Sequence, residues 1–317
     1  MIWLIGNKGM LGSEVSRQLE EAHLPFVGTD KEIDITNPEA LENFANNVLT
    51  ESYFPSDLPH SERRITWIIN CSAYTNVEKA EEDVELAEKL NAQGPLNIAR
   101  LARKIGSKLI HISTDYVFNG KGSKPYTEEM EKEPLGVYGK TKSKGEDAIQ
   151  KEMNTYFILR TAWLYGFDGK NFVYTMTNAM NKRDSVKVVN DQKGSPTCAV
   201  DLAQVIIKII TKTDKAKGFF GKNSVPSFGV YHFTDEGETT WYDFTQEIYR
   251  LGKKYGRITN DCSVNPCSTE EYGAKVERPS YSVLSKEKIT KELKIKIPQW
   301  QASLEKFIKS NRFVSEK

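Results

Sequence analysis

Met1-Ile-Trp-Leu-Ile-Gly6-Asn-Lys-Gly9-Met-Leu-Gly12 opens the chain, and its reading decides the fold. The first five residues form a continuous apolar run that stops at a glycine, as a short strand buried on both faces does. Leu11, Val15 and Leu19 then recur four apart, on one face of a helix. Strand, glycine turn and helix follow one another without a gap. In a dinucleotide-binding turn the first glycine makes the bend, the middle one admits a pyrophosphate against the backbone, and the last lets helix and sheet pack closely. The helix amino end then faces the phosphates. A glycine triplet alone is a weak signal; between a strand and a helix it has the context the motif needs.

Outward from this turn the same rhythm continues. Pro25 to Asp30 reads as a second strand ending in an acid, and Asn37-Pro38-Glu39 as a helix start, with asparagine as cap and proline in the first turn. Asp30 can accept both hydroxyls of an adenosine ribose, which favours NADH, whereas the cation of Lys31 suits a 2′-phosphate, so NADH and NADPH both stand. A solvated turn acid is the plain alternative. Asp34 and Ile35 reach an adenine or merely punctuate a loop. Thr50 to Arg64, with two prolines and several charges, is expected to be an inserted surface loop. A strand at Ile65 to Asn70, helices at Val77 to Leu90 and Gly94 to Ile105, a strand from Lys108, a helix from Tyr138 to about Met153 and a strand at Tyr156 to Leu159 complete the alternation. That is an α/β fold of Rossmann type: a doubly wound parallel sheet covered on both faces, with right-handed crossovers. From about Gly166 the rhythm weakens. Helices are expected near Phe172 to Met180, Asp201 to Ile210 and Trp241 to Tyr255, with strands at Val186 to Val189 and Val230 to Phe233. Residues 1–165 are read as the dinucleotide-binding domain, and 166–317 as a smaller, interwoven substrate-binding domain with parts returning to the first core.

The chemistry gathers around Lys108-Leu-Ile-His-Ile-Ser113. Ser113, Thr114, Asp115 and Tyr116 end this strand, and Tyr138-x-x-x-Lys142 follows one crossover later. A carbonyl reduction needs a hydroxyl to orient the oxygen, a tyrosine to give a proton, and a lysine to bond the nicotinamide ribose and lower the tyrosine pKa. The Tyr/Lys spacing is cheap, because Tyr249-x-x-x-Lys253 repeats it inside an amphipathic helix, where an aromatic is more often packing. Position after the Ser113-Thr114 strand separates the two. Asn70-Cys-Ser-Ala-Tyr-Thr-Asn-Val77 stands at a strand's carboxyl edge, where small residues let a cofactor lie against the backbone. Glu78, Glu81, Glu82 and Glu85 read as a solvated acidic helix face, and Asp191 to Thr197 as a polar loop open to substrate.

The totals exclude other classes. The 317 residues carry 44 basic and 43 acidic side chains, which gives no field for nucleic acid or an anionic membrane. The four cysteines and four histidines are scattered without zinc spacing. The opening apolar run is too short for a signal peptide or a membrane span, and a cytoplasmic protein with reduced thiols is expected.

Together these motifs resemble the extended short-chain dehydrogenase/reductase superfamily and, within it, the dTDP-4-dehydrorhamnose reductases. The resemblance rests on the Gly6 turn, Asn70 to Glu81, Ser113-Thr-Asp-Tyr-Val-Phe-Asn-Gly120, Pro134 to Lys142, Leu159-Arg-Thr-Ala-Trp-Leu-Tyr-Gly166, Asn171-Phe-Val, Asp191-Gln-Lys-Gly-Ser-Pro-Thr197, Trp241-Tyr-Asp-Phe and Arg278-Pro-x-x-Ser282. It implies Thr114, Tyr138 and Lys142 as the catalytic set. Val77, Thr114, Asp115, Tyr116 and Trp163 would line a sugar pocket, and Arg278 would meet a nucleotide diphosphate. The cofactor would lie on Gly6, Gly9, Met10, Leu11, Gly12, Asp30, Asp34, Ile35, Cys71, Ser72, Ala73, Tyr74 and Asn91, with Tyr138 and Lys142. The expected reaction is NAD(P)H-dependent reduction of the C4 ketone of a dTDP-linked 6-deoxyhexulose. Glu78 and Asn119 stand where the family has Asp, and the 50–64 loop is longer than usual. The family includes members said to use magnesium (Mg2+) and to pair through acidic residues. No matching acids are found here, so metal and homodimer stay open. Two alternatives stand: another nucleotide-sugar reductase or epimerase, and a non-catalytic cofactor-binding subunit like the regulatory partner of methionine adenosyltransferase.

Overall fold

The computed structural model describes residues 1–50, 63–215, 225–274 and 276–314. Most of the loop expected at Thr50 to Arg64 lies outside them.

Six parallel strands form the central sheet: β1 (Ile2–Ile5), β2 (Phe26–Thr29), β3 (Trp67–Asn70), β4 (Lys108–Thr114), β5 (Tyr156–Thr161) and, from the second half of the chain, Gly229–His232. Their spatial order is β2, β1, β3, β4, β5, then Gly229–His232. Strand order therefore reverses between β1 and β3, and a crevice opens at the carboxyl ends there. The strands read as unbroken apolar runs because alternate side chains enter two different cores. Ile2 and Leu4 face one core, where Leu11, Val15 and Leu19 of the Met10–Glu21 helix meet Leu202, Ile206 and Ile209 of the Ala199–Lys215 helix. Trp3 and Ile5 face the other, with Leu41, Ile98, Ala102 and Ile149 from the helices Pro38–Thr50, Gly94–Ile105 and Val137–Glu152. Each fully buried Leu or Ile side chain contributes about 1.5–3 kcal/mol.

The expected helix from Val77 to Leu90 is instead two short helices, Val77–Ala80 and Val84–Glu88, followed by a wider π turn at Lys89–Gln93 that runs into Gly94–Ile105. Asn76 caps the first by accepting from the Lys79 N–H at 3.0 Å. The π turn stands just where Pro95 would press its ring on the carbonyl of Asn91, four residues back, and the wider turn eases that contact.

The second half builds its own core from Tyr165, Phe244, Ile248, Leu251, Trp300, Leu304 and Phe307. Around it, among the described residues, lie three short strand pairs: Leu164–Tyr165 beside Thr197–Cys198, Ser185–Val189 beside Ser263–Cys267, and Lys193–Gly194 beside Thr239–Thr240. The helices Phe172–Lys182 and Trp241–Lys254 match their expected positions, while Glu287–Leu293, Trp300–Lys309 and the strand Ser263–Cys267 lie outside the expectations. Among the described residues no helix is long and apolar enough to cross a membrane.

Candidate active site

A cavity of about 810 Å³ lies across the carboxyl ends of β1, β3 and β4. Its floor is the Gly6 turn. Gly6 has φ +79°, and a Cβ there would stand 2.8 Å from the Ser72 nitrogen. A Cβ on Gly12 would stand 1.9 Å from the Gly6 carbonyl oxygen, so both positions exclude any other side chain. Gly9 is different: its Cβ would meet only the Gly6 carbonyl, at 3.4 Å, and its open side faces the cavity.

Asp30, Lys31, Asp34 and Ile35 close one end, and Gly6, Gly9, Met10, Leu11, Cys71, Ser72 and Ala73 line the middle. Val77, Thr114, Asp115, Tyr116, Tyr138, Lys142 and Trp163 form the other end. The length and the glycine cradle fit an extended dinucleotide beside a second, smaller molecule. Four expected residues stand off the wall. Gly12 serves helix packing. The Tyr74 hydroxyl donates to Asp83 at 2.7 Å, while the buried Asn91 side chain clamps the Tyr74 backbone N–H and carbonyl at 2.8 and 3.0 Å. Arg278 donates to Glu78 at 2.8 Å.

At the reacting end, Thr114 is the last residue of β4; its hydroxyl donates to Asp115 Oδ1 at 3.0 Å and accepts from the Tyr116 N–H at 3.2 Å. Tyr138 is the second residue of the Val137–Glu152 helix and meets Tyr116 edge to face, with centroids 5.5 Å apart. The helix comes this close because residue 139 is glycine: a Cβ there would lie 2.2 Å from the Tyr116 carbonyl oxygen. One turn on, Lys142 is only 2% exposed, and its Nζ donates to the Ile112 carbonyl at 2.6 Å and meets His111 Nε2 at 3.3 Å. A further turn brings Glu146, fully buried, which takes two bonds from Arg160 at 2.9 and 2.7 Å. Burial works to raise Glu146, but the Arg160 guanidinium, Lys132 and the Ser113 hydroxyl outweigh it and hold the carboxyl below its usual range.

Burial sets the other titrations. It lowers Lys142 to about 8, against the opposing charge of Glu146, and raises Asp115 to about 6 despite hydrogen bonds from Thr114 and Ser282. Tyr138 is pushed up to about 12 by burial, partly offset by the Thr114 hydroxyl. The Lys142 amine makes its contacts with Ile112 and His111 and none with the Tyr138 hydroxyl directly.

Several residues inside the quoted motifs shape the site in ways their sequence did not assign. Gly136 has no side chain to cap the catalytic helix, and Glu81 does so from another element, accepting from the Val137 N–H at 2.8 Å. The acidic face of residues 78–85 is thus only partly a solvated one. Trp241 lies flat on Trp163, with centroids 3.5 Å apart and planes 10° from parallel, and Gly194 leaves room for that indole. Trp163 itself holds φ +49°, unusual for a bulky residue. Gln192, from the polar loop, and Ser282 also line this end. Among the described residues no three or more His, Cys, Asp or Glu side chains gather closely enough to hold a metal ion, so the geometry adds nothing for the magnesium left open by the sequence.

A protein-family model described as "RmlD substrate binding domain" matches residues 1–313. Among curated proteins, the dTDP-4-dehydrorhamnose reductase of Salmonella typhimurium is 33% identical over 309 residues, covering 97% of this chain and 96% of that protein. Among solved structures, a dTDP-4-dehydrorhamnose reductase from Clostridium acetobutylicum superposes with a TM-score of 0.82 at 39% identity, covering 97% of this chain and 98% of that one. Another, from Bacillus anthracis in complex with NADP, gives a TM-score of 0.82 at 33% identity, covering 96% and 97%. With its glycine turn at one end of the cavity and Thr114, Tyr138 and Lys142 at the other, the chain belongs to the RmlD substrate-binding-domain family.

Proposed function

We propose that this protein reduces the C4 ketone of dTDP-4-dehydro-6-deoxy-L-mannose to dTDP-L-rhamnose. Membership of the family makes it an NAD(P)H-dependent oxidoreductase. The observation that carries the finer reading is the placing of Thr114, Tyr138 and Lys142 on one end of a single cavity whose other end is the glycine turn. A nicotinamide cofactor, when bound, supplies the hydride.

The chain's own residues do the rest. Tyr138 gives its phenolic proton to the ketone oxygen as that oxygen gains charge, and Thr114, at the strand end, orients the carbonyl. Lys142, one helical turn from Tyr138, holds the ribose and, in its protonated form, lends positive charge and a proton that burial makes easy to release. Asp115, Tyr116, Val77 and Trp163 frame the sugar, with the Trp163–Trp241 stack as an apolar wall that keeps water from the reacting carbon. Asp30 and Lys31 stand together at the adenosine end, so acceptance of both NADH and NADPH is expected.

The test is a cofactor-oxidation assay with purified protein and the dTDP-linked ketosugar, run with each cofactor and with and without magnesium. One cofactor should be consumed per ketone reduced, which separates a reductase from an epimerase or a cofactor-binding subunit. Tyr138→Phe should abolish turnover and leave cofactor binding intact; a fully active Tyr138→Phe enzyme would overturn the mechanism.

A further inference from the structure

Behind Lys142 runs a buried chain of polar groups whose direction of donation can be read from one end. That end is a backbone amide, which can only donate. The Ser72 N–H gives to Asn70 Oδ1 at 3.0 Å, and the Ser72 hydroxyl gives to the same oxygen at 2.6 Å. The other atom of the Asn70 amide, Nδ2, therefore faces His111 Nδ1, at 3.1 Å. An amide nitrogen donates, so Nδ1 accepts. An imidazole that accepts at Nδ1 carries its hydrogen on Nε2, and an imidazolium, with N–H at both positions, would press hydrogen against hydrogen. His111 is fully buried, and burial, followed by the Lys142 charge, holds it well below the usual histidine range and hence neutral. Nε2 is the atom that meets Lys142 Nζ, at 3.3 Å.

We propose that His111, through the Nε2–H that Asn70 imposes on it, is a positioning residue that favours the neutral amine of Lys142 and keeps this lysine ready to release its proton beside Tyr138. An ammonium would meet N–H with N–H. The free amine turns its lone pair to His111 and keeps a hydrogen for the Ile112 carbonyl at 2.6 Å. Burial already lowers Lys142, and the charged groups facing it add nothing in that direction. Glu146, on the same helix, pulls toward the ammonium, but its carboxylate is engaged by Arg160. Cys71, from the end of β3, is pushed up to about 12 by burial and stays a neutral thiol. Tyr138, one turn before, is likewise pushed up to about 12 and stays neutral. What the released proton is used for rests on the proposed reductase reading; the polarity of the chain does not.

The experiment is trace labelling of the intact protein with acetic anhydride over a pH series, read by mass spectrometry on the peptide that contains Lys142, since only the free amine reacts. In the native protein reactivity should rise with a midpoint below about 8, the value that burial and the charged neighbours give without any share from His111. His111→Met removes the donor and should move the midpoint upward by about one unit or more, toward that of an ordinary lysine. Asn70→Asp is nearly isosteric, accepts from Nδ1–H, turns Nε2 into an acceptor and should also move the midpoint upward. If His111→Met fails to fold, His111→Leu takes its place in both the single and the double variant. In the double variant the Asn70→Asp increment should disappear. An unchanged midpoint in either single variant overturns the proposal, as does an Asn70→Asp shift that survives whole without His111, which would mark it as direct charge. A protein with no reductase activity but the expected labelling shifts would overturn only the assigned reaction. An active reductase whose Lys142 midpoint ignores His111 would overturn only this inference.

Discussion

Two helices of this molecule carry Tyr-x-x-x-Lys, Val137–Glu152 and Trp241–Lys254, and they put the same pattern to different uses. The spacing does one thing in both: it sets the two side chains on one helical face. In the first, that face meets the carboxyl end of β4, so Tyr138 lines a cavity, Lys142 is buried, and the next turn is anchored by Glu146 on Arg160. In the second it meets a loop. The Tyr249 hydroxyl accepts from the Cys262 N–H at 3.4 Å, and Lys253 ties down the 259–261 segment by donating to Asp261 at 2.8 Å and Thr259 O at 3.0 Å. The motif is local; the chemistry belongs to whatever the fold places opposite.

The largest test of this contrast is removal of each hydroxyl. Tyr138→Phe should lower kcat by about 10²–10⁴-fold, the range for loss of a positioned proton donor. Tyr249→Phe should leave kcat where it was. Steady-state kinetics on the two variants breaks the comparison if Tyr249→Phe is the more damaging. The anchors come next. Glu146→Gln leaves the buried Arg160 without its ionic partner and should destabilise the protein by about 3–5 kcal/mol in urea unfolding. Asp261→Asn, which weakens the tie of the second lysine, should leave the unfolding midpoint unchanged.

Each helix also contains a glycine at a contact, and the contacts differ in kind. A Cβ at Gly139 runs into the Tyr116 backbone, whereas one at Gly252 runs into the flexible end of Ile258 at 2.4 Å. Gly139→Ala should therefore cost about 1–3 kcal/mol and lower activity as well, because it lifts Tyr138 off its neighbour. Gly252→Ala should cost less and leave activity alone, as thermal melts and the cofactor assay would show. The smallest effect is a pH dependence confined to the first site. Burial raises the Asp115 carboxyl from 3.8 to about 6, so the fold favours its neutral form. Its share of stability is fully present below about pH 4 and is lost as pH rises through about 6. Asp115→Asn cannot ionise, and its stability relative to the native protein should grow across that window by at most about 2–3 kcal/mol. Paired melts at the two ends of the window check this, and a constant difference would mean the carboxyl is already ionised at the acid end.

How far the sequence reaches depends on the range of the interaction. The central sheet is legible because strand, turn and helix signals are local and because burial on both faces leaves unbroken apolar runs. Thr114, Tyr138 and Lys142 are legible as a group because one crossover links them. Glu81 is not: on its own helix it is one more exposed acid, and only the tertiary fold brings it to the bare amino end at Gly136. Glu146 and Arg160 are a buried pair fourteen positions apart in the chain, and no periodicity announces that both are inside. Ser263–Cys267 contains Pro266 and is largely exposed, so it carries no strand pattern and is held by its register with Ser185–Val189. Trp300, Leu304, Phe307 and Ile308 are another case, since their spacing is a plain helix signal in the sequence itself.

The sheet's last strand, Gly229–His232, and the covering helix, Ala199–Lys215, both come from the second half of the chain. On the ribosome this means that the face bearing Ile2, Leu4, Ile69 and Phe157, covered at first only by the Met10–Glu21 helix, emerges well before the rest of its cover does. From the end of β5 to the end of the sixth strand is about 70 residues, or roughly 4–14 s of synthesis at 5–20 residues per second. During that interval a nascent chain presents an apolar sheet with a free edge at β5. Chaperone demand and truncation products should therefore be greatest for chains that stop between these two strands.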